Sequence, residues 1–367
     1  MVQAGLYPNP ALGPNLADLG DRKNQVGASG ARILQTIVTG GKLQIAKEAA
    51  ARGVEAADWA AITKWHDTVL RVRLAYYELL TALREHETMA DIVRISDEAH
   101  KTAKAFEKAG AGNRPDVLRA KVELEQNTLK QEVVSRRVEA GWQNLHSALG
   151  RPGPVLDRVT LDPKTLETPS PGYEWASMLT CLHDASSVLQ EARALIAQQQ
   201  KLVAKARADV TPDITVQVDP FYLSNLREVR THLIVTAPFP LFDRNQGNIR
   251  SALADLSQAI ADEQSLELQL TERLTLAYQR YQAARQQAAA YHDRIVPDAR
   301  ESLTLVQAGY KAQDRKYDYT AVLQAQQVLF QTKLAETQAL GELWRAAAEI
   351  AALLQQDHVL PACGVKR

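Results

Sequence analysis

Twice in this chain a short β-favouring run turns into a helix of unusual length. The first passage is QTIVTGGKLQIAKEAA, residues 35–50, and the second is VRTHLIVTAPFPLFDRNQGNIR, residues 229–250. After each, helical periodicity continues for 68 residues, over 42–109 and 246–313. At 1.5 Å per residue, each helix would reach about 100 Å. Gly53 is the only glycine or proline in the first run, and Pro297 marks a kink in the second. Ala, Gln, Leu, Glu and Arg dominate while aromatics make up 6 %, which suits long helices better than a compact mixed core.

The return legs divide the chain into two repeats, 1–172 and 173–367. AGAGNRPDV ends the first long helix, and the chain comes back through a helix over 115–149 and then the upper helix over 173–208 that opens the second repeat. A proline-rich connector, 150–172, lies between them. In the second, the return is one helix over 320–356, and half a leg is missing. The expectation is an upper helix of roughly 35 residues before residue 1, with any export signal upstream of that. Three alignments support the repeat. LAYYELLTAL (74–83) matches LAYQRYQAAR (276–285), DVLRAKVELEQ (116–126) matches AVLQAQQVLFQ (321–331), and TGGKLQIAKEAA matches NQGNIRSALADL.

Each repeat also carries a strand pair. Ile214, Val216 and Val218 alternate with Thr215 and Gln217, and Leu233, Val235 and Ala237 follow a polar turn. In RILQTIVTG neither face is cleanly polar. Four strands are too few to close a barrel of eight or more.

Several function classes are excluded or left without support. Lys and Arg balance Asp and Glu at 43 each, so no basic footprint argues for nucleic acid. The eight histidines show no paired ligand spacing, and Cys181 and His183 point to different helix faces, so no metal site is expected. No cofactor loop or nucleophile–His–acid signature occurs, and GAGN lies between helices without a preceding strand. The chain does not read as an enzyme. No apolar stretch reaches the roughly 18 residues of a membrane-spanning helix, which leaves a β-barrel open.

AGLYPNPALG, QTIVTGGKLQIAKEAA and PFPLFDRNQGNIRSALADL together resemble the TolC-type outer-membrane efflux channel family, and most of all its heavy-metal and multidrug branch. The resemblance covers about residues 4–356. It implies a mainly α fold with a small β part, four strands per protomer, and three protomers closing a twelve-stranded barrel. An α-helical tunnel would continue that barrel across the periplasm. The implied function is a passive exit duct in the outer membrane and its lipid, serving a tripartite efflux or type I export system. Its partners would be two further copies, a periplasmic adaptor and an inner-membrane RND or ABC transporter. The competing reading is a soluble or periplasmic coiled-coil adaptor or scaffold, or a truncated channel fragment.

At the junctions, Gly40 and Gly41 mark the first turn. Pro240 ends a strand, Asp243 and Asn245 can cap the new helix, and Gly247 permits a bend or close approach. The resemblance makes AGAGNRPDVLRA and AGYKAQDRKYDYTAVLQA the periplasmic tips, closed as an iris. Asp116 falls on the family's acidic-ring motif, whereas Ala321 and Gln324 stand where the second repeat is often acidic. Asp314 and Asp318 lie just upstream and could substitute. These aspartates read equally as caps or first-turn dipole partners. Arg114, Arg315 and Lys316 could lock the closed state through ion pairs or meet an adaptor hairpin. Tyr7, Phe221, Tyr222, Phe239 and Phe242 border the strands, as a membrane-interface girdle or as strand-end core.

Overall fold

The computed structural model describes residues 1–17, 27–110, 112–150, 161–224, 226–312 and 316–356. It divides into two compact units, and each draws on both halves of the sequence. One comprises Met1–Thr63 and Ser187–Leu268, the other Lys64–Ser186 and Gln269–Arg367.

In the first unit, β1 (Ala11–Ala17), β2 (Ala28–Ile37), β3 (Ile214–Leu223) and β4 (Glu228–Thr236) form one antiparallel sheet in the order β1-β2-β3-β4. Both expected strand pairs are present as β1–β2 and β3–β4. β2 joins them by pairing with β3, Ile33 opposite Val218 and Ile37 opposite Ile214. The start of α1 (Lys42–Lys108), all of α4 (Ser187–Ala208) and the start of α5 (Gln246–Ala290) complete the unit. Polar contacts fix these helices to one another. The Thr63 and Ser187 hydroxyls lie 2.6 Å apart, Lys201 Nζ is 2.8 Å from Glu48, and Arg193 is 3.5 Å from Glu263.

The second unit is helical. It holds the rest of α1, α2 (Arg114–Ala148), α3 (Trp175–Ala185), the end of α5, α6 (Val296–Lys311) and α7 (Tyr319–Leu353). The three- and four-residue steps of the sequence become layers across α1, α2 and α7. One layer is Met89, Ile92, Val134 and Phe330, and another is Ala103, Val117, Ala120 and Tyr319. A third joins Ala75 and Leu79 to Trp142 and Leu145. Leu79 has no exposed surface, and truncating such a leucine to alanine costs about 2–5 kcal/mol. Gly341 lets α7 approach α1 closely. A Cβ there would run into the Thr81 hydroxyl and lie 2.8 Å from Thr81 Cγ2.

The proline-rich connector has more order than expected where it is described, the segment 151–160 lying outside the described residues. Residues Pro163–Glu167 form a 3-10 turn with Leu166 fully buried. Trp344 Nε1 donates to the Leu166 carbonyl at 2.9 Å, Tyr173 Oη to the Ala347 carbonyl at 3.3 Å, and Tyr281 Oη to the Pro171 carbonyl. Aromatic donors on the helices thus satisfy carbonyls that a loop would otherwise leave to water.

Two expected helices differ from the sequence reading. The helix over 173–208 is interrupted at Ser186, which is extended (φ −61°, ψ 115°) and almost wholly buried. Two consecutive serines sit there, and serine hydroxyls compete for backbone groups in non-helical conformations. The Ser187 hydroxyl is used against Thr63. The long second-repeat helix does not simply kink at Pro297. It widens into a π-helical turn, Tyr291–Ile295, where the Val296 N–H reaches the Tyr291 carbonyl. Proline lacks an N–H and crowds the preceding turn, and a π turn absorbs both defects without ending the helix.

Candidate functional site

The sheet has two chemically different faces. Directly opposite residues share a face and neighbours along a strand alternate, so register decides the sides. Leu12, Ile33, Val218 and Leu233 stand in one row across all four strands. Leu16, Val216, Tyr222, Val229 and Val235 lie on the same side by alternation. This face is open to its surroundings: Leu12 is 76 % exposed and Leu233 68 %. Only Ser29, Gln35 and Thr231 interrupt it with polar side chains, and a mainly apolar exposed surface marks contact with lipid or protein.

The opposite face is polar and internally bonded. Asp219, only 3 % exposed, accepts from Arg32 Nε at 3.3 Å and from Gln217 Nε2 at 2.6 Å. Those charge-assisted bonds answer the cost of burying its carboxylate. Beside them the Phe221 ring stands edge-on to His232, centroids 4.5 Å apart. Gly30 makes room for this arrangement, since a Cβ would strike the Pro220 carbonyl and sit 2.8 Å from Phe221 Cβ. Phe221 therefore does not belong to an aromatic girdle, because its odd-numbered register turns it to the polar side. Tyr222 lies on the apolar face near the β3–β4 turn. Tyr7, Phe239 and Phe242 lie at the other end, Phe242 being 91 % exposed. Among the described residues, the outer edges of β1 and β4 carry no strand partner.

At the first junction, Gly40 (φ +67°) and Gly41 (φ +69°) take the left-handed conformation that turns strand into helix. A clasp that the sequence reading missed holds this turn. Asp213 Oδ1 accepts from Lys42 Nζ at 2.7 Å and from the Thr39 N–H at 3.0 Å, while the Thr39 hydroxyl donates to the Pro212 carbonyl at 2.5 Å. Burial pushes the Asp213 carboxyl up, but Lys42 and the Thr39 N–H outweigh it and hold the group below the usual carboxylate range. No short motif announces a pair 171 residues apart.

At the second junction the roles differ from those expected. β4 ends at Thr236, two residues before Pro238 and four before Pro240. Asp243 Oδ1 accepts the Asn245 N–H at 2.9 Å, an Asx turn before the helix begins rather than a cap on helical N–H groups. Asn245 makes the bend itself, at φ +59°, and its side-chain amide donates to the Ala206 carbonyl at 2.7 Å. Gly247 is already inside α5, without positive φ and with open space where a Cβ would be. It needs neither the freedom nor the room of glycine, because Asn245 supplies the turn.

At the far ends of the helices, Asn113 caps α2 by accepting the Asp116 N–H at 3.0 Å. Asp116 sits in the first turn, 3.7 Å from Arg119, and Arg114 lies 3.6 Å from Glu107 across the same turn. Asp318 caps α7 through the Ala321 N–H at 2.8 Å. Asp314 and Arg315 lie outside the described residues. The two tips are joined within the unit. Arg119 reaches the Thr320 hydroxyl at 3.4 Å, Gln327 reaches Glu123 at 3.3 Å, and the Tyr310 ring meets Phe106 edge-on and Tyr319 at a tilt. Burial, then Tyr310 and the carboxylates of Asp116 and Glu123, pushes the Tyr319 hydroxyl above its ordinary range. Among the described residues no cluster of His, Cys, Asp or Glu could hold a metal ion.

Comparison with known proteins follows the same lines. The model of the family described as outer membrane efflux protein matches residues 14–151 and 183–355. The cobalt-zinc-cadmium resistance protein CzcC of Cupriavidus metallidurans is 25 % identical over 355 residues, spanning 96 % of this chain and 82 % of that protein. Among solved structures, CusC aligns with TM-score 0.80 at 16 % identity, covering 96 % of this chain and 83 % of its own. The outer membrane protein VceC of Vibrio cholerae aligns with TM-score 0.76 at 16 % identity, covering 97 % and 88 %.

Proposed function

The chain belongs to the outer membrane efflux protein family, and we propose that three copies close one barrel to form its conducting state. Members are channels rather than enzymes, and this chain acts in the outer membrane as the exit channel of a tripartite efflux system. Family membership decides against the adaptor or scaffold reading.

The two-faced, open-edged sheet carries the trimeric reading. Its apolar face suits lipid, its bonded polar face suits a water-filled lumen, and its unpaired edges need partners of the same kind. Closure by copies of one chain is a head-to-tail assembly whose rotation must return on itself. The helical unit offers a second argument. Leu118, Val122, Leu129 and Val133 make an exposed apolar stripe on one side of α2, as a helix does when another lies along it.

The tips act as the gate in this proposal. Asp116 and Arg119, with Thr320 and Tyr310, link the first hairpin to the second, and a periplasmic adaptor coupled to an RND or ABC pump would loosen that link. The likeness to CzcC makes divalent cobalt, zinc and cadmium the first cargo to test.

The test is native mass spectrometry of the protein extracted from outer membranes, with conductance in planar bilayers. A trimer that conducts supports the reading. A monomer confined to the soluble fraction refutes it.

A further inference from the structure

We infer that neighbouring copies join β4 to β1 at an offset of four or six residues, with β4 displaced along β1 toward the Ala17 end. This rests on the trimeric barrel proposed above.

The register across one sheet leads from Leu12 through Ile33 and Val218 to Leu233. If Leu233 faced Leu12 of the next copy, the strands would stand parallel to the barrel axis. Every residue of offset at the seam tilts them, by a rise of about 3.4 Å set against four strand spacings of about 4.8 Å. Offsets of two, four, six and eight residues correspond to tilts of roughly 20°, 35°, 47° and 55°. Barrel strands tilt by about 35–45°, and four and six are the offsets that come nearest that range. Odd offsets would turn the apolar row of one copy onto the polar face of its neighbour, because side chains alternate with period two.

The direction of the offset follows from what flanks β1. Displacement the other way would set β4 beside Pro10 and Pro8, which lack an N–H for the ladder, and then beside the 3-10 turn Gln3–Gly5. Displacement toward the Ala17 end pairs residues 232–236 with 13–17 at offset four and 234–236 with 15–17 at offset six, and the prolines at 238 and 240 fall beside the start of β1 rather than against the middle of β4. At offset four, Leu233 faces Leu16 of the next copy and Ile234 faces Asn15. At offset six, Val235 faces Leu16 and Thr236 faces Asn15. Either way an apolar residue meets Leu16, and the lipid-facing surface continues unbroken around the barrel.

The experiment is a cysteine scan in full-length protein carrying Cys181→Ala and Cys363→Ala. Asn15→Cys is combined in turn with each of Arg230→Cys through Thr236→Cys, and outer membranes are oxidised before a non-reducing gel. β1 and β4 are opposite edges of one sheet, so a bond between them joins two copies. The expected result is a covalent trimer whose yield peaks at Ile234→Cys or Thr236→Cys. A peak at Arg230→Cys or His232→Cys means an offset of zero or two, and one at Leu233→Cys or Val235→Cys an odd one; either overturns the inference. Leu16→Cys with Leu233→Cys or Val235→Cys reports the same two offsets from the other face, should positions on the polar face perturb folding. A trimer by native mass that joins at none of these pairs overturns the seam alone. If the parent runs as a monomer, the trimeric reading and the seam fail together.

Discussion

Replacing Leu233 with arginine sets a charge near the middle of β4, in the row it shares with Leu12, Ile33 and Val218. In the isolated chain this leucine is 68 % exposed, so almost nothing in its own protomer would resist a longer side chain. If the row faces lipid, the cost arises entirely from the membrane. A lipid-facing arginine near the bilayer midplane of a barrel costs about 2–4 kcal/mol. That corresponds to a roughly thirty- to several-hundred-fold loss of folded, inserted protein per copy, compounded over three copies. His232→Arg is the internal control, one residue away on the polar face. There the new guanidinium enters water beside Phe221 and Asp219, and the expected change is within about 0.5 kcal/mol, as for surface substitutions elsewhere. The assay is refolding into vesicles under a urea series, read by protection of the barrel from protease. If Leu233→Arg inserts like the parent while His232→Arg fails, the two faces have been assigned the wrong way round. If both insert normally, the sheet does not meet lipid at all.

The other expectations concern the junctions, the tips and the helix packing. Gly341→Ala forces a methyl against Thr81 and should destabilise by about 1–3 kcal/mol, less about 1 kcal/mol gained by removing a helical glycine; adding Thr81→Ala should restore stability, and a double-mutant cycle in thermal unfolding without positive coupling would refute the close contact. Asn113→Ala and Asp318→Ala each remove a helix cap worth about 0.5–2 kcal/mol, seen as faster amide exchange confined to the first turns of α2 and α7. The Asp213 carboxyl is held below its usual range, so its stabilisation is complete above the ordinary aspartate pKa and is lost as the pH falls toward the lowered folded value. Lys42→Met should therefore reduce stability at neutral pH and flatten the acid limb of the unfolding profile; an unchanged limb would show that the clasp is not what acid breaks. Asn245→Ala should cost more than Asn245→Gly, because both lose the bond to Ala206 but only alanine is strained at φ +59°.

Much of this protein was legible in its sequence because the informative signals are local. Helix periodicity, the glycines at 40 and 41 and the alternating strand pairs depend on neighbours a few residues away. They placed both junctions, and they set the bounds of α1, α2 and α7 to within a residue or so at the start and three at the end. Local reasoning failed where a partner decides. Asn245, rather than Gly247, makes the second turn because it has the Ala206 carbonyl to bond. Phe221 faces the polar side because pairing with β2 sets its register, and Gly30 opposite leaves it room. Ser186 breaks a helix that periodicity would continue, and a π turn before Pro297 carries the other helix through a residue that ordinarily ends one.

What the sequence determined by itself is the alternation of strand pairs and long helices in two repeats, since chain geometry and propensity act over a few residues. What only the tertiary structure decided is register. β2 finds β3 from nearly 180 positions away, as Thr36 and Thr215 illustrate. In RILQTIVTG both sides hold apolar and polar residues, so the strand does not declare its faces. Only its neighbours do, because a slip of one residue exchanges the two sides of the sheet.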